Sequence, residues 1–350
     1  MKSIFEKIYN FLELNQQGML ATIVWTSGST PAPAQSKMLM DLDGNRIAGT
    51  IGGGCVEDAV MRRAAAIQDK KYAVIMDFEL NDDDAETGLI CGGTLKVLIE
   101  PINISHQPLF RKLAERCNAG LETILVTKIG KNNDSEKSIF DKDCKLLEGG
   151  LENITEIPKN VLEKYSPVMQ NVEDDLYIYE PIEGKSPLYI FGGGHVGKAV
   201  SKFAAQCGFS VTIVDDRIEY TNRENFPEVD ETICLPFRNI SGNLSIGKSA
   251  FVLIVTRGHN HDELVLEQIL KFNPKYIGMI GSKRKVLVAY KNLSAKGIDQ
   301  KKLKNVFAPV GLDIGAISVE EIAVSIVAEM ITVKRRGNEL KSCQHKKLPL

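Results

Sequence analysis

The chain has 350 residues, a formal net charge of -2 and seven cysteines. This length exceeds one ordinary hydrophobic core and predicts two domains. The near-neutral charge argues against nucleic acid or an anionic membrane as a partner. No stretch reaches the roughly 18 consecutive apolar residues of a membrane-spanning helix. Cysteines without a CxxC pair argue against disulfides and cysteine-rich zinc sites, and with no apolar signal-peptide core at the amino terminus they predict a cytoplasmic location.

The first half alternates helix and strand signals. Apolar spacing predicts an amphipathic helix over residues 3–16 and a buried strand over Met19–Trp25. The segments 37–41 and 46–48, joined by Asp43-Gly44-Asn45, have the turn chemistry of a hairpin. Further strands are predicted over 72–77, 94–101, 122–129 and 176–180, with a helix over 107–119.

A cysteine and several glycines form the densest motif of this half, Gly49-Thr-Ile-Gly-Gly-Gly-Cys-Val-Glu57, directly before a predicted helix. Three consecutive glycines leave the backbone amides uncovered, which predicts an anion-binding turn. Cys55 would lie near the helix amino terminus, where the dipole favours the thiolate; the alternative is a buried cysteine beside a tight turn. The segment Cys91-Gly92-Gly93 repeats the combination, so Cys91 is predicted to lie near Cys55. Cys117 and Cys207 fall in helical stretches and are predicted to be structural.

The second half opens with the pattern of a Rossmann unit. The apolar run Leu188–Phe191 leads into Gly192-Gly-Gly194-His-Val-Gly197, an amphipathic segment and a second apolar run that ends at Asp215. In such a unit the first glycine makes the turn, the second admits a pyrophosphate to the backbone and the third lets the helix pack closely. The acid at the end of the second strand is predicted to accept hydrogen bonds from a ribose.

Three more short apolar strands follow, over 231–235, 250–256 and 276–280, which predicts a parallel doubly wound sheet. Ligands of such sheets bind at the carboxyl ends of the strands. The segments there are 192–194, 215–217, Thr256–Asp262 and Gly281–Arg284; the last offers a serine N-cap and two cations as a phosphate site. A capping box, Ser318-x-x-Glu321, predicts a helix to about residue 334. The predicted organisation is an N-terminal mixed α+β domain (1–183), a linker (184–187) and a Rossmann-like C-terminal domain (188–350).

These motifs, in this order, resemble the xanthine dehydrogenase accessory protein family, XdhC/CoxI. The resemblance is carried by Gly49–Glu57, Cys91–Gly93, Phe191–Gly197 with Val214–Arg217, Tyr276–Arg284, and Pro309-Val-Gly-Leu-Asp-Ile-Gly-Ala316. The chain departs from the family after the fourth Rossmann strand, where many relatives have Thr-His-Asp and this chain has Thr256-Arg-Gly-His259.

The resemblance implies a chaperone rather than an enzyme with turnover. Such a chaperone holds molybdenum cofactor (molybdopterin), presents it to a cysteine desulfurase for sulfuration and delivers it to a molybdenum hydroxylase such as xanthine dehydrogenase, and so serves purine metabolism. Cys55 is the residue predicted to contact molybdenum, and a homodimer is expected. The candidate cofactor-binding residues are Gly52, Gly53, Gly54, Cys55, Glu57, Cys91, Gly92, Gly93, Gly192, Gly194, His195, Gly197, Asp215, Asp216, Arg217, Ser282, Lys283 and Arg284.

Two other functions stay open. The GxGxxG turn is also that of an NAD(P)-dependent oxidoreductase, with NAD(P) or another nucleotide as cofactor. A non-catalytic subunit of the hydroxylase is the third class. The three classes of function differ in the ligand that the protein binds, in whether it catalyses hydride transfer, and in whether it forms a stable complex with the hydroxylase.

Overall fold

The computed structural model describes residues 3–67, 72–80 and 92–336. The chain divides into two compact units, Lys2–Gly184 and Lys185–Leu350, which we call the N-terminal and C-terminal units. Cys91 lies outside the described residues, so its placement near Cys55 stays a prediction. Among the helices in the described ranges, none is long and apolar enough to cross a membrane.

The first half of the N-terminal unit is a five-stranded antiparallel sheet with two helices. Its order is β3-β2-β1-β5-β4. Helix α1 starts at a capping box made by Ser3 and Glu6 and buries an apolar face that includes Ile8 and Leu12. The predicted first helix, buried strand and hairpin are confirmed. The elements are α1 (Ile4–Glu13), β1 (Gly18–Ser27), β2 (Lys37–Met40), β3 (Arg46–Gly49), α2 (Gly54–Ile67), β4 (Val74–Glu79) and β5 (Thr94–Ile102).

The second half of the N-terminal unit repeats this topology. Its sheet has the order β8-β7-β6-β10-β9, which matches the first sheet strand for strand. A helix again precedes the first strand, and another separates the hairpin from the last two strands. The elements are α3 (Gln107–Asn118), β6 (Thr123–Ile129), β7 (Ser135–Phe140), β8 (Leu146–Gly149), α4 (Lys159–Lys164), β9 (Val168–Val172) and β10 (Asp175–Ile182).

The repetition extends to strand register. Thr22 pairs with Lys37 across β1 and β2, and Thr127 pairs with Lys137 across β6 and β7. Both hairpins shift register at the second residue after the lysine, and both end in a glycine with positive φ, at 77° and 107°. The N-terminal unit is therefore an internal duplication, which the sequence patterns described above did not predict.

The two repeats exchange buried ion pairs. Lys37 of the first repeat lies 2.5 Å from Glu180 of the second, and Lys137 of the second lies 2.7 Å from Glu100 of the first. All four side chains are almost fully buried. Burial lowers the pKa of Lys37 although Glu180 opposes the shift. Because a buried charge is costly without its partner, these pairs tie each repeat to the other.

The C-terminal unit contains a five-stranded parallel sheet. Its strands are β11 (Ser186–Phe191), β12 (Phe209–Asp215), β13 (Glu231–Cys234), β14 (Phe251–Ile254) and β15 (Tyr276–Met279). The order is β13-β12-β11-β14-β15, and every pair is parallel. This is the order of a Rossmann unit, with the switch point at β11.

Helices cover both faces of this sheet. Alternate strand residues such as Leu188 and Ile190 pack with α5 (His195–Gln206) and α10 (Val319–Arg336). The opposite set, which includes Phe191 and Ile254, packs with α7 (His259–Ile269) and α8 (Lys283–Ala295). The remaining helices are α6 (Ile240–Asn243) and α9 (Gln300–Leu303). The predicted fold class, a Rossmann-like doubly wound parallel sheet after an α+β region, is confirmed.

Candidate functional site

The glycine turn of the N-terminal unit enters α2 directly. Gly52, Gly53 and Gly54 have φ angles of 117°, 77° and 61°, which L side chains rarely adopt. A Cβ at Gly53 would contact nothing within 4 Å, so the turn is open at this point. Cys55 is the second residue of α2 and is half-buried. The first amides of a helix have no intrahelical acceptor and carry the positive end of its dipole.

Glu57 stabilises the conformation of this turn through hydrogen bonds. Its side chain is buried and accepts hydrogen bonds from the Thr50 hydroxyl at 2.5 Å and the Ile51 amide at 2.9 Å. Burial alone would raise the pKa of Glu57, but these bonds, a bond from the Gly53 amide and the nearby Arg46 guanidinium lower it overall. The structure therefore places Glu57 under the turn, and its predicted contact with cofactor stays a prediction.

The loop between β1 and β2 contacts both glycine segments of this unit. A Cβ on Gly52 would collide with Pro31, and a Cβ on Gly93 would collide with the carbonyl oxygens of Ser27 and Ser29. The Gly92 amide donates a hydrogen bond of 2.8 Å to the carbonyl oxygen of Leu80, the residue that follows β4. The two predicted segments, 52–55 and 92–93, thus meet on one loop.

The three glycines of the GxGxxG turn in the C-terminal unit have different surroundings, as the motif predicts. A Cβ on Gly192 would collide with Val255 at the end of β14, and one on Gly197 would collide with the carbonyl oxygen of Gly192. A Cβ on Gly194 would meet nothing within 4 Å, so this position is open to a ligand. His195, the first residue of α5, is exposed beside it.

The carboxylate of Asp215, at the end of β12, is hydrogen-bonded to other groups of the protein. It is buried, and its oxygens accept bonds from the Gly193 amide at 2.9 Å and from the Arg217 side chain at 2.9 and 3.1 Å. Burial alone would raise the pKa of Asp215, but the hydrogen bonds from Arg217 and Gly193 lower it overall. Arg217 also stacks on Tyr220, 3.6 Å from its ring centre. Because both oxygens are bonded to protein, the predicted ribose contact has no support in this geometry.

Asp216, the next residue, forms a bidentate ion pair with Arg257. The two nitrogen–oxygen distances are 3.1 and 3.0 Å. Asp216 follows β12 and Arg257 follows β14, so the pair joins the two strands that flank β11 at its carboxyl end. Asp216 is among the predicted site residues and Arg257 is not, although Arg257 occupies the segment where the chain departs from the family.

A cavity of about 260 Å³ lies at the carboxyl ends of β14 and β15. Asp262, in the first turn of α7, lines it together with Thr256 and Arg257. Lys285 also lines the cavity, whereas Ser282, Lys283 and Arg284 do not. Ser282 caps α8 as predicted and accepts a bond from the Lys285 amide at 3.4 Å. A larger cleft of about 580 Å³ in the N-terminal unit contains none of the predicted site residues in its described lining.

Asp262 is the group in this cavity with the most altered acidity. Burial raises its pKa to about 6, although hydrogen bonds from the Thr256 amide and hydroxyl, at 3.1 and 2.6 Å, act in the opposite direction. Asp262 lies in a predicted strand-end segment but is not among the predicted site residues. Its sequence signals are that position and the motif His259-x-His261-Asp262, which has the residue types of a metal site. In the described part of the chain, no group of three or more His, Cys, Asp or Glu side chains is arranged to hold a metal ion.

Replacing Asp262 by asparagine should stabilise the protein at pH 8 and have little effect near pH 4. Folding raises the pKa of Asp262, so the contribution of this group to stability is fully present below the ordinary pKa of 3.8. That contribution is lost as pH rises through about 6, because the half-buried carboxyl group then becomes charged. Asparagine keeps an acceptor for Thr256 and carries no buried charge. Thermal melts from pH 4 to pH 8 should show a melting temperature gap that widens to about 2–4 °C. Asp299→Asn, at an exposed cap of α9, should show no such trend.

Two sequence-family models match the chain. One, the XdhC and CoxI family, matches residues 11–79, and the other, the XdhC Rossmann domain, matches residues 188–330. A protein of Bacillus subtilis described as a probable xanthine dehydrogenase subunit is 29% identical over 333 residues, 93% of this chain and 96% of that protein. The molybdenum cofactor insertion chaperone PaoD of Escherichia coli is 22% identical over 324 residues, 92% of this chain and 85% of that protein.

A solved structure has the same fold along nearly the whole chain. The crystal structure of a xanthine dehydrogenase from Bacillus halodurans matches with a TM-score of 0.79 and 26% identity, and the match covers 97% of both chains. The predicted resemblance is confirmed by both halves of the sequence and by this structure. Residues 11–79 thus belong to the XdhC and CoxI family, and residues 188–330 form an XdhC Rossmann domain.

Proposed function

We propose that this protein is an accessory protein of xanthine dehydrogenase that binds molybdenum cofactor and delivers its sulfurated form to the enzyme. The match of residues 11–79 to the XdhC and CoxI family, and similarity to a cofactor insertion chaperone, support the accessory role. The observation that carries the proposal is the Gly52–Cys55 turn, where open backbone at Gly53, the amino terminus of α2 and a half-buried thiol occur together.

The residues of this turn fit the chemistry of the cofactor. Molybdenum cofactor carries a phosphate and a metal bound to two sulfurs. The positive end of the α2 dipole and the open backbone at Gly53 suit an anionic group, and a thiolate at Cys55 suits the metal or its sulfur ligand. When bound, the cofactor would supply the redox centre of the hydroxylase. The residues of this chain bind and orient it.

A nucleotide-dependent oxidoreductase is the second candidate, favoured by the open Gly194 in the GxGxxG turn. Two observations weigh against it. Asp215 has both oxygens bonded to protein, and Asp216 is paired with Arg257. A dinucleotide would have to displace at least the Asp216–Arg257 ion pair to reach a carboxylate at the carboxyl end of β12.

The partners follow from the proposed delivery. We propose a cysteine desulfurase as the sulfur donor, a cytoplasmic location and a homodimeric carrier. A carrier must release its cargo, so the complex with the hydroxylase should be transient. A stable stoichiometric complex would instead place the chain in the third class of function, as a non-catalytic subunit.

The test uses the full chain purified without cofactor. After incubation with molybdenum cofactor released from a donor enzyme, gel filtration should show molybdenum and pterin eluting with the protein, and the loaded protein should activate cofactor-free xanthine dehydrogenase. Calorimetric titration with NAD(H) should show no binding. Hydride transfer that depends on NAD(P)H would overturn the proposal.

A further inference from the structure

The cavity at the ends of β14 and β15 has the volume of a small ligand. Its volume of about 260 Å³ lies just below the roughly 300–1,000 Å³ of pockets that enclose drug-sized ligands. Met279, Ile280 and Val286 give it apolar walls. This volume suits a fused bicyclic ring and is too small for an entire dinucleotide.

Asp262 offers this cavity a directed acceptor. Its Oδ1 accepts two hydrogen bonds from Thr256, which fix the orientation of the carboxylate. Its Oδ2 accepts no hydrogen bond from the described residues, so both acceptor positions of this oxygen remain for a ligand. Two adjacent N–H donors on one ring edge would satisfy them. The 2-amino-4-oxo edge of a pterin or a guanine carries such a pair.

Cations surround the same cavity. Arg257 and Lys285 both line it, as do Gly258, the N-cap of α7, and Gly281, which precedes the N-cap of α8. A Cβ on Gly258 would meet nothing within 4 Å, so the backbone there is open. Arg257 lines the cavity while it forms its ion pair with Asp216. These groups favour a ring that carries a phosphate or carboxylate.

Adenine has the wrong edge for this arrangement. Adenine offers one donor on the corresponding edge, its N6 amino group, because its ring nitrogen N1 is an acceptor, so one acceptor position of the Asp262 Oδ2 would face a lone pair where a pterin or a guanine presents an N–H. A site that leaves a half-buried acceptor unpaired discriminates strongly against such a ligand. The cavity should therefore reject AMP and the adenine end of NAD.

We propose that this cavity binds the 2-amino-4-oxo ring edge of an anionic pterin, with Asp262 as the residue that determines specificity. The choice of pterin over guanine rests on the proposed function. The ring recognition rests on the cavity alone. It extends the proposal by assigning a pterin-binding role to the C-terminal unit.

The experiment titrates the full chain with pterin-6-carboxylate, followed by its fluorescence, and with GMP and AMP by calorimetry. The wild type should bind the pterin, bind GMP more weakly and ignore AMP. Asp262→Asn should bind the pterin about 10- to 100-fold more weakly, the loss of a hydrogen bond to a charged group. Asp299→Asn is the matched control and should bind as the wild type does. Thermal melts establish that both variants are folded.

Each outcome separates the two proposals. If molybdenum cofactor binds but pterin-6-carboxylate does not, or binds Asp262→Asn as well as the wild type, the cavity assignment is overturned and the proposed function stands. Preference for AMP over both other probes also overturns the assignment. If GMP binds more tightly than the pterin and Asp262→Asn loses both, ring recognition is supported but the pterin assignment falls. If neither pterin nor molybdenum cofactor binds, both proposals fail.

Discussion

Replacing Glu180 by alanine is expected to destabilise the N-terminal unit by about 3–5 kcal/mol, since it leaves Lys37 buried without its partner. The two side chains are 2.5 Å apart, and each is at most 2% exposed. Urea unfolding followed by tryptophan fluorescence measures this directly, because Trp25 is the single tryptophan and lies in β1 of this unit. An unchanged midpoint would show that the pair does not stabilise the unit.

Two controls separate charge from packing. The double variant Lys37→Met with Glu180→Leu replaces the pair by apolar side chains of similar size and should recover most of the stability, as buried pairs often allow. The single variant should also regain stability as pH rises, because burial lowers the pKa of Lys37 and the unpaired lysine then releases its proton. If the loss persists at every pH and in the double variant, lost packing is the cause.

The features that the sequence predicted are those with local signals. The capping box at Ser318, the start of α8 at Ser282 and the glycine turns at 52–54 and 192–197 depend on residues within one turn of each other. Apolar alternation and short apolar runs likewise identified the strands of the parallel sheet. Each such signal reflects backbone sterics or capping, which act over a few residues.

The features that the sequence did not predict depend on distant residues. Lys37 and Glu180 are 143 positions apart, and nothing near either residue indicates its partner. Asp215 carried the signal of a ribose ligand, but the position of Arg217 and Gly193 decides where its oxygens point. Cys207 is exposed at the end of α5, so its prediction as a structural cysteine is wrong.

The duplication had a detectable signal that was missed. Lys37-Met-Leu-Met-Asp-Leu-Asp-Gly44 and Lys137-Ser-Ile-Phe-Asp-Lys-Asp-Cys144 share a lysine and two aspartates at the same spacing. Gly44 and Cys144 both have positive φ, at 85° and 63°. A comparison of the chain with itself would have aligned these hairpins.

The repeats differ where the candidate site lies. After its third strand the first repeat has the Gly52–Cys55 turn and α2, whereas the second continues into segment 150–158 before the short α4. The connection between the first two strands is also longer in the first repeat, over 28–36, than in the second, over 130–134. Since the shared scaffold folds without these additions in the second repeat, function is the better explanation for them.

Cys55→Ser should therefore abolish cofactor retention while leaving the fold intact. Serine is nearly isosteric, and Cys55 is a half-buried residue at the start of α2, so little apolar area is lost. Loss of supporting contacts around a metal typically costs about 10–100-fold in affinity, and loss of a direct thiolate contact should cost at least as much. Molybdenum content after gel filtration measures retention. Cys207→Ser, at an exposed cysteine of the other unit, is the matched control and should retain cofactor fully.

Thiol footprinting supplies a readout that does not depend on the client enzyme. In the wild type, bound cofactor should protect Cys55 from alkylation and leave the exposed Cys207 and Cys234 equally reactive with and without cofactor. The mass of each alkylated peptide reports the three sites in one experiment. If Cys55 stays equally reactive and Cys55→Ser retains cofactor as the parent does, the thiol only fills space beside the turn. The open backbone at Gly53 and the amino terminus of α2 would then be the features that hold the cofactor anion.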